Sequence, residues 1–275
     1  SFDVKNKKIL IWSEQGLGDH IFYSTMLVDA LKTKNEFIVV IDKRLIDLYK
    51  RSFKEFKNVS FLDNADNEDL YDFHLPIGCL GKFFRNSKQD FLKQKIPLLK
   101  DDANYTKILK NKTHSEKKYV CGISWMSKSL STGNSKSMCL EDFKSVFALP
   151  DINFVDLQYG DTKREQKDFK ERSGFELTKI NSIDNFNDID KLASLISACD
   201  FIVTTSNVTA HIAGALNKKT YLIVPFTQGK IWYWGINKKN CQWYPSIKIL
   251  NSNALEDWKK PVKELHDLLS KEIEL

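Results

Sequence analysis

Glu14-Gln15-Gly16-Leu17-Gly18-Asp19 follows the apolar run Ile9-Leu10-Ile11-Trp12 and precedes an amphipathic segment from Ile21 to Leu31. A buried strand that breaks on two glycines and restarts as a helix reads as the first βα turn of a Rossmann-like unit. Gly16 and Gly18 are expected to reach positive φ and, lacking Cβ atoms, to let another molecule approach the backbone. Asp19 falls at or beside the helix N-terminus, where two readings compete. It is either a cap for the orphan N–H groups or a reacting carboxylate, because ligands collect at the strand C-termini of open α/β sheets. The full six-residue dinucleotide signature is missing, so the glycines alone do not indicate a nucleotide.

Outward from this turn, strand and helix alternate. Strand Ile9–Ser13, helix Ile21–Lys32, strand Phe37–Asp42, helix Arg44–Phe56 and strand Val59–Leu62 make a βαβαβ half. An acidic loop over 63–69 leads to a short strand, Tyr71–Leu75, and the lysine-rich stretch Lys110–Lys118 reads as a linker. The domain boundary is therefore expected between residues 117 and 118. Alternation restarts at Tyr119–Trp125 and continues through helix Leu140–Phe147, strand Asn153–Leu157, helix Lys163–Arg172 and strand Leu177–Ile180. A helix with Leu192, Leu195 and Ile196 on one face follows, then strand Phe201–Thr204, the small-residue helix Ile212–Leu216 and strand Tyr221–Val224. A closing helical region spans Leu255–Leu269, with Pro261 expected to break or restart it. Two Rossmann-like halves facing each other across a cleft, 1–117 and 118–275, are the expected architecture.

Composition narrows the function classes. The chain has 275 residues, 42% of them hydrophobic and 28% charged, enough for one large core or two medium ones. Its formal charge of +6 is spread without a dense basic tract, which argues against a dedicated nucleic-acid binder. Five well-separated cysteines, Cys79, Cys121, Cys139, Cys199 and Cys241, suggest neither a disulfide framework nor a zinc site, so a cytoplasmic chain with reduced thiols is expected. No apolar run reaches the length of a membrane span and no signal-peptide pattern opens the chain. The start at Ser1-Phe2-Asp3 reads as a cut from a longer protein.

Three constellations could carry chemistry. Thr204-Thr205-Ser206-Asn207-Val208-Thr209 joins a strand to a helix and aims backbone N–H groups and hydroxyls at one spot, which suits a diphosphate. The bland alternative is that Ser206 or Asn207 only caps the helix. His211, one turn in, is either structural or a donor to a phosphate oxygen. The polar turn after Trp125 offers Ser127, Lys128, Ser129, Ser131 and Lys136 to an anion, or is simply solvated. Lys230, Trp232-Tyr233-Trp234 and Trp243-Tyr244-Pro245, with Asn237-Lys238-Lys239-Asn240 between, are core or the wall of a ligand site. Asp188-Ile189-Asp190 is spaced like a metal-diphosphate motif, but it precedes a helix and is better explained by capping.

Taken together, Glu14-Gln15-Gly16-Leu17-Gly18-Asp19, Gly122-Ile123-Ser124-Trp125, Leu157-Gln158-Tyr159-Gly160, Ala210-His211-Ile212-Ala213-Gly214-Ala215-Leu216 and Trp243-Tyr244-Pro245 resemble the glycosyltransferase-like domain that follows tetratricopeptide repeats in many bacterial proteins. That domain is similar to the lipopolysaccharide heptosyltransferases and, more distantly, to O-GlcNAc transferases. The likeness runs from about Lys8 to Trp258. It implies a GT-B fold with an acceptor-side N-terminal domain and a nucleotide-sugar-binding C-terminal domain. By motif position Asp19 is the implied catalytic base. Ser124, Lys128, Gln158, Ser206, Asn207, Val208, Thr209 and His211 are the implied donor-diphosphate residues, and Glu14, Gln15, His20, Lys230 and Trp232 candidate acceptor or sugar contacts. Where heptosyltransferases usually carry Asp-Thr, this chain has Ser206-Asn207.

The implied activity is inverting, metal-independent sugar transfer from a nucleotide-sugar to a glycan, lipid-linked or protein acceptor, with no cofactor beyond that co-substrate. A nucleotide-sugar epimerase would need further acid/base carboxylates that the motifs do not supply. An inactive nucleotide- or sugar-binding module of a scaffold is the reading from another class.

Overall fold

A computed structural model describes residues 4–65, 70–114, 117–129, 132–227, 229–235, 238–255 and 257–273. Ser131, Asn237 and most of the acidic 63–69 loop lie outside the described residues. The chain divides into two compact units, Ser1–Asp101 and Asp102–Leu275.

In the first unit, strands β1 (Lys8–Trp12), β2 (Glu36–Val40), β3 (Val59–Leu62) and β4 (Phe73–Pro76) form a parallel sheet in the order β3-β2-β1-β4. The second unit holds β5 (Tyr119–Ser124), β6 (Ile152–Asp156), β7 (Phe201–Thr205), β8 (Thr220–Val224) and β9 (Ile247–Asn251), parallel in the order β6-β5-β7-β8-β9. Every residue of β7 and β8 is buried. Helices cover both faces of such a sheet, so its central strands read as unbroken apolar runs.

Differences from the sequence reading have local causes. The first helix begins at Leu17, not Ile21, and a 3₁₀ turn over Ser24–Met26 separates Leu17–Tyr23 from Leu27–Leu31. Residues 110–113, read as linker, end the helix Ala103–Thr113, which belongs to the second unit. The Asp102 carboxylate caps it by accepting from the Asn104 and Tyr105 amides, and Thr106, Leu109 and Thr113 form its buried stripe. Thr106 and the Asp102 amide bond to Ser194 of helix Ile189–Ala198. Lysines on the opposite face gave this helix its linker-like composition. Leu177–Ile180 contributes a single bridge, Thr178 to Val155 of the edge strand β6, and at the opposite edge β9 is a strand the sequence reading missed. Pro261 sits in the first turn of helix Lys259–Ile273, where a missing N–H costs nothing, so it starts the helix instead of breaking it.

Helix Val208–Ala215 packs closely on Tyr244 through Gly214: a Cβ there would lie 2.4 Å from the ring's Cγ and 2.8 Å from its Cβ. These are the stiff, backbone-proximal atoms of a fully buried side chain. Gly214→Ala should therefore cost about 1–3 kcal/mol in overpacking, against about 1 kcal/mol gained in helix propensity. Urea denaturation should show a lower midpoint at unchanged slope; a midpoint at or above the parent's would contradict this packing.

Candidate functional site

In the second unit the ends of three strands meet in a buried polar knot. Gln158, two residues past β6, accepts three hydrogen bonds at Oε1, from Ser124 Oγ (3.0 Å), the Trp125 amide (2.8 Å) and the Met126 amide (2.8 Å). Its Nε2 donates to the carbonyls of Met126 and Tyr159, and its amide donates to the buried Asp156 carboxylate. Burial raises the Asp156 pKa, against the bonds it accepts from Gln166 and Gln158. From the β7 side, Asn207 Oδ1 caps helix Val208–Ala215 by accepting from the Thr209 amide (2.9 Å) and also accepts from Thr204 Oγ1. Asn207 Nδ2 donates to Ser124 Oγ (2.8 Å) and Met126 O (3.0 Å). Ser124, Gln158 and Asn207 are thus tied to one another.

Around the start of that helix, Thr205 Oγ1 and Thr209 Oγ1 are buried without a hydrogen-bond partner among the described residues, while Val208 is half-buried. Buried hydroxyls are normally satisfied, so two orphans beside a helix N-terminus mark a place where an acceptor is missing. The Ser206 hydroxyl is already engaged by the Trp234 indole N–H at 2.8 Å.

The loop after β5 brings cations to this end of the sheet. Ser127 N bonds Ser137 Oγ, and Met138 N bonds Trp125 O, closing the loop's base. Lys136 is only 6% exposed, and its charge depresses the pKa of His211. Lys128 is exposed and lies along Gly160: a Cβ at that residue, whose φ is +89°, would sit 2.3 Å from the Lys128 Nζ. The positive φ favours glycine here, while the exposed end of Lys128 is free to swing aside. Lys136, named among five polar residues of the turn but not among the implied diphosphate residues, is the buried cation. Its burial is a tertiary property with no signal in the spacing.

His211 is enclosed by the aromatic tract. Its Nδ1 lies 3.3 Å from the Tyr244 hydroxyl, its Nε2 3.2 Å from the Tyr233 hydroxyl, and its ring 4.9 Å from that of Trp234. These rings are core, whereas Trp232 is 63% exposed. Lys230 donates to Asn251 Oδ1.

In the first unit, Gly16 is the N-cap position with φ −72° and no side-chain cap bond, and Gly18 lies within helix Leu17–Tyr23. Neither glycine has positive φ, contrary to expectation. Asp19 is in the helix's first turn, so it is not the cap residue. It is half-buried. Burial and the charges of Asp19 and Glu14 raise the pKa of Tyr23, and a Cβ on Gly78 would meet the Tyr23 ring at 3.5 Å and Glu14 Oε2 at 3.7 Å. Two carboxylates and a phenol thus share one end of this sheet. His20 accepts from the Asp42 amide at Nδ1 (3.1 Å), so its proton is on Nε2, which faces Gln15 O at 3.0 Å. Both ring nitrogens hold backbone. Asp42 lies two residues beyond β2, where a ribose-binding acid often sits, but Arg44 occupies it through three N–H groups.

Asp188 is the N-cap position of helix Ile189–Ala198 yet makes no cap bond; it pairs with Lys191 at 3.1 Å. No group of three or more His, Cys, Asp or Glu side chains that could hold a metal ion occurs among the described residues, and none of the described helices is long and apolar enough to cross a membrane.

Desolvation pushes the His211 pKa down to about 3, with Lys136 adding to the effect. The unfolded chain, at about 6.5, then binds the extra proton, so stability is full above about pH 6.5 and is lost as pH falls toward 3. Urea titrations should give parallel stabilities above pH 7 and, between about pH 6 and pH 4.5, a loss approaching about 1.4 kcal/mol per pH unit more in the parent than in His211→Gln. Equal slopes would mean that His211 is charged or solvated in the folded protein.

No protein-family model matches the chain. It is 26% identical to protein FlbA of Caulobacter vibrioides over 275 residues, covering 93% of this chain and 45% of FlbA, and so spans about half that relative's length. ADP-heptose lipopolysaccharide heptosyltransferase II of E. coli superposes with a TM-score of 0.58 at 14% identity, covering 97% of this chain and 99% of that one. The iron-containing dodecameric glycosyltransferase TibC of enterotoxigenic E. coli gives 0.58 at 13% identity, over 98% and 78%. The two parallel α/β sheets of this chain thus have the fold seen in heptosyltransferase-type glycosyltransferases.

Proposed function

We propose that the chain is a glycosyltransferase of the GT-B type that binds a nucleotide-sugar through its second unit and transfers the sugar to an acceptor hydroxyl with inversion, without a metal ion. One observation carries the reading: the orphaned Thr205 and Thr209 hydroxyls beside the start of helix Val208–Ala215, in the unit whose loop after β5 carries the buried Lys136. A diphosphate supplies the missing acceptors, and the helix dipole and an ammonium group stabilise its charge as the sugar leaves. Asp19, beside Glu14 and Tyr23, takes the proton of the acceptor hydroxyl as that oxygen attacks the anomeric carbon, a contribution of roughly 10²–10⁴-fold. His211 is a neutral core residue in this scheme, and Ser124, Gln158 and Asn207 hold the loop that carries the lysines.

Nucleoside diphosphates (ADP, GDP, UDP) should include at least one that raises the melting temperature. Thr209→Val, which removes the orphan hydroxyl at constant shape, should weaken that ligand by about 1–3 kcal/mol. Unchanged affinity would remove the site assignment.

Asp19→Asn keeps the side chain's size and removes its basicity. Transfer should fall about 10²-fold or more, while nucleotide affinity and melting temperature stay near the parent's and the parent's transfer persists in EDTA. Full turnover in Asp19→Asn would defeat the base role, and EDTA-abolished transfer restored by a divalent cation would defeat metal independence.

A further inference from the structure

We propose that Asn207 is a positioning residue with two separable jobs, one for each end of its amide. Oδ1 caps helix Val208–Ala215, and Nδ2 ties the start of that helix to the loop after β5, which carries the buried Lys136. The inference rests on the diphosphate reading of the helix start and adds to it the device that keeps cation and helix in register.

The latch can be followed bond by bond. Nδ2 donates to Met126 O at 3.0 Å and to Ser124 Oγ at 2.8 Å. Gln158 grips the same Met126 residue from the other side, accepting from its N–H at 2.8 Å and donating to its carbonyl at 3.3 Å. Met126 is thereby fixed at both polar atoms. The next residue, Ser127, donates its amide to Ser137 Oγ, and Ser137 Oγ in turn donates to Gly133 O at 2.7 Å. Lys136 is the neighbour of Ser137, so its backbone is located by this chain of bonds. Asn207 and Ser124 are buried, and a bond broken there exposes donors that water cannot easily reach.

Serine or threonine at this position could cap the helix through a single oxygen but has no second group to reach Met126. An asparagine supplies both. Asn207→Ser therefore keeps the cap and cuts the latch. Asn207→Asp also keeps a cap acceptor but sets a carboxylate oxygen against the Met126 carbonyl.

Inorganic pyrophosphate probes the diphosphate contacts independently of base and sugar. Calorimetric titration should give a Kd roughly tenfold weaker for Asn207→Ser, the loss of two hydrogen bonds, and weaker still for Asn207→Asp. The melting temperature of unliganded Asn207→Ser should stay within a few degrees of the parent's. Lys136→Gln should also weaken pyrophosphate, and Asn207→Ser added to Lys136→Gln should change the Kd little further, because the latch acts through the lysine. A residue that mattered only for stability would instead lower both affinities independently. Should Asn207→Ser fail to fold, Ser124→Ala cuts the bridge between Asn207 and Gln158 and is expected to show the same coupling to Lys136. Parent-like affinity in Asn207→Ser, or full additivity with Lys136→Gln, overturns the latch alone. A parent that does not bind pyrophosphate overturns the diphosphate reading and the latch with it.

Discussion

Three hydrogen bonds converging on one oxygen, Gln158 Oε1, hold the C-terminal edge of the second sheet together. Parallel strands leave their last peptide groups unpaired at the sheet edge, and each must find a partner once the loops cover them. Here the partner is a side-chain amide, which offers acceptor and donor to the same turn. Asp156 holds the Gln158 backbone from below, and Asn207 completes the arrangement from the next strand. The result is a rigid frame from which a loop and a helix start project. Geometry held in this way by buried polar groups is what a site for a charged ligand requires.

Beneath that frame lies the aromatic enclosure of His211. Tyr233, Trp234 and Tyr244 surround the ring, and Trp234 also reaches Ser206 with its indole N–H. Gly214 lets the helix sit against Tyr244. The segment between β8 and β9, which carries a 3₁₀ turn over Trp232–Trp234 but no α-helix among its described residues, therefore works as a wedge that fixes where helix Val208–Ala215 begins. In the first unit a smaller device has the same purpose: His20 joins Gln15 to Asp42 and fixes the path of the glycine turn that carries Glu14 and Asp19.

Much of this was legible in the sequence. Strand and helix alternation, a glycine turn after the first strand and a Thr-Ser-Asn strand exit are local patterns, set by periodicity and by the few residues that tolerate such turns, so eight of the nine strands among the described residues and the place of Asp19 could be read directly. What the residues could not show was which polar groups would be buried together. Lys128 and Lys136 look alike in the chain, yet packing exposes one along Gly160 and buries the other. The helix Ala103–Thr113 was hidden because its buried stripe has three residues, two of them threonines, and it is held by tertiary bonds to helix Ile189–Ala198 and to Asn153. The bonds that build the site and this helix join residues 22 to 92 positions apart, and such long-range pairing is decided only when the sheet closes the distance.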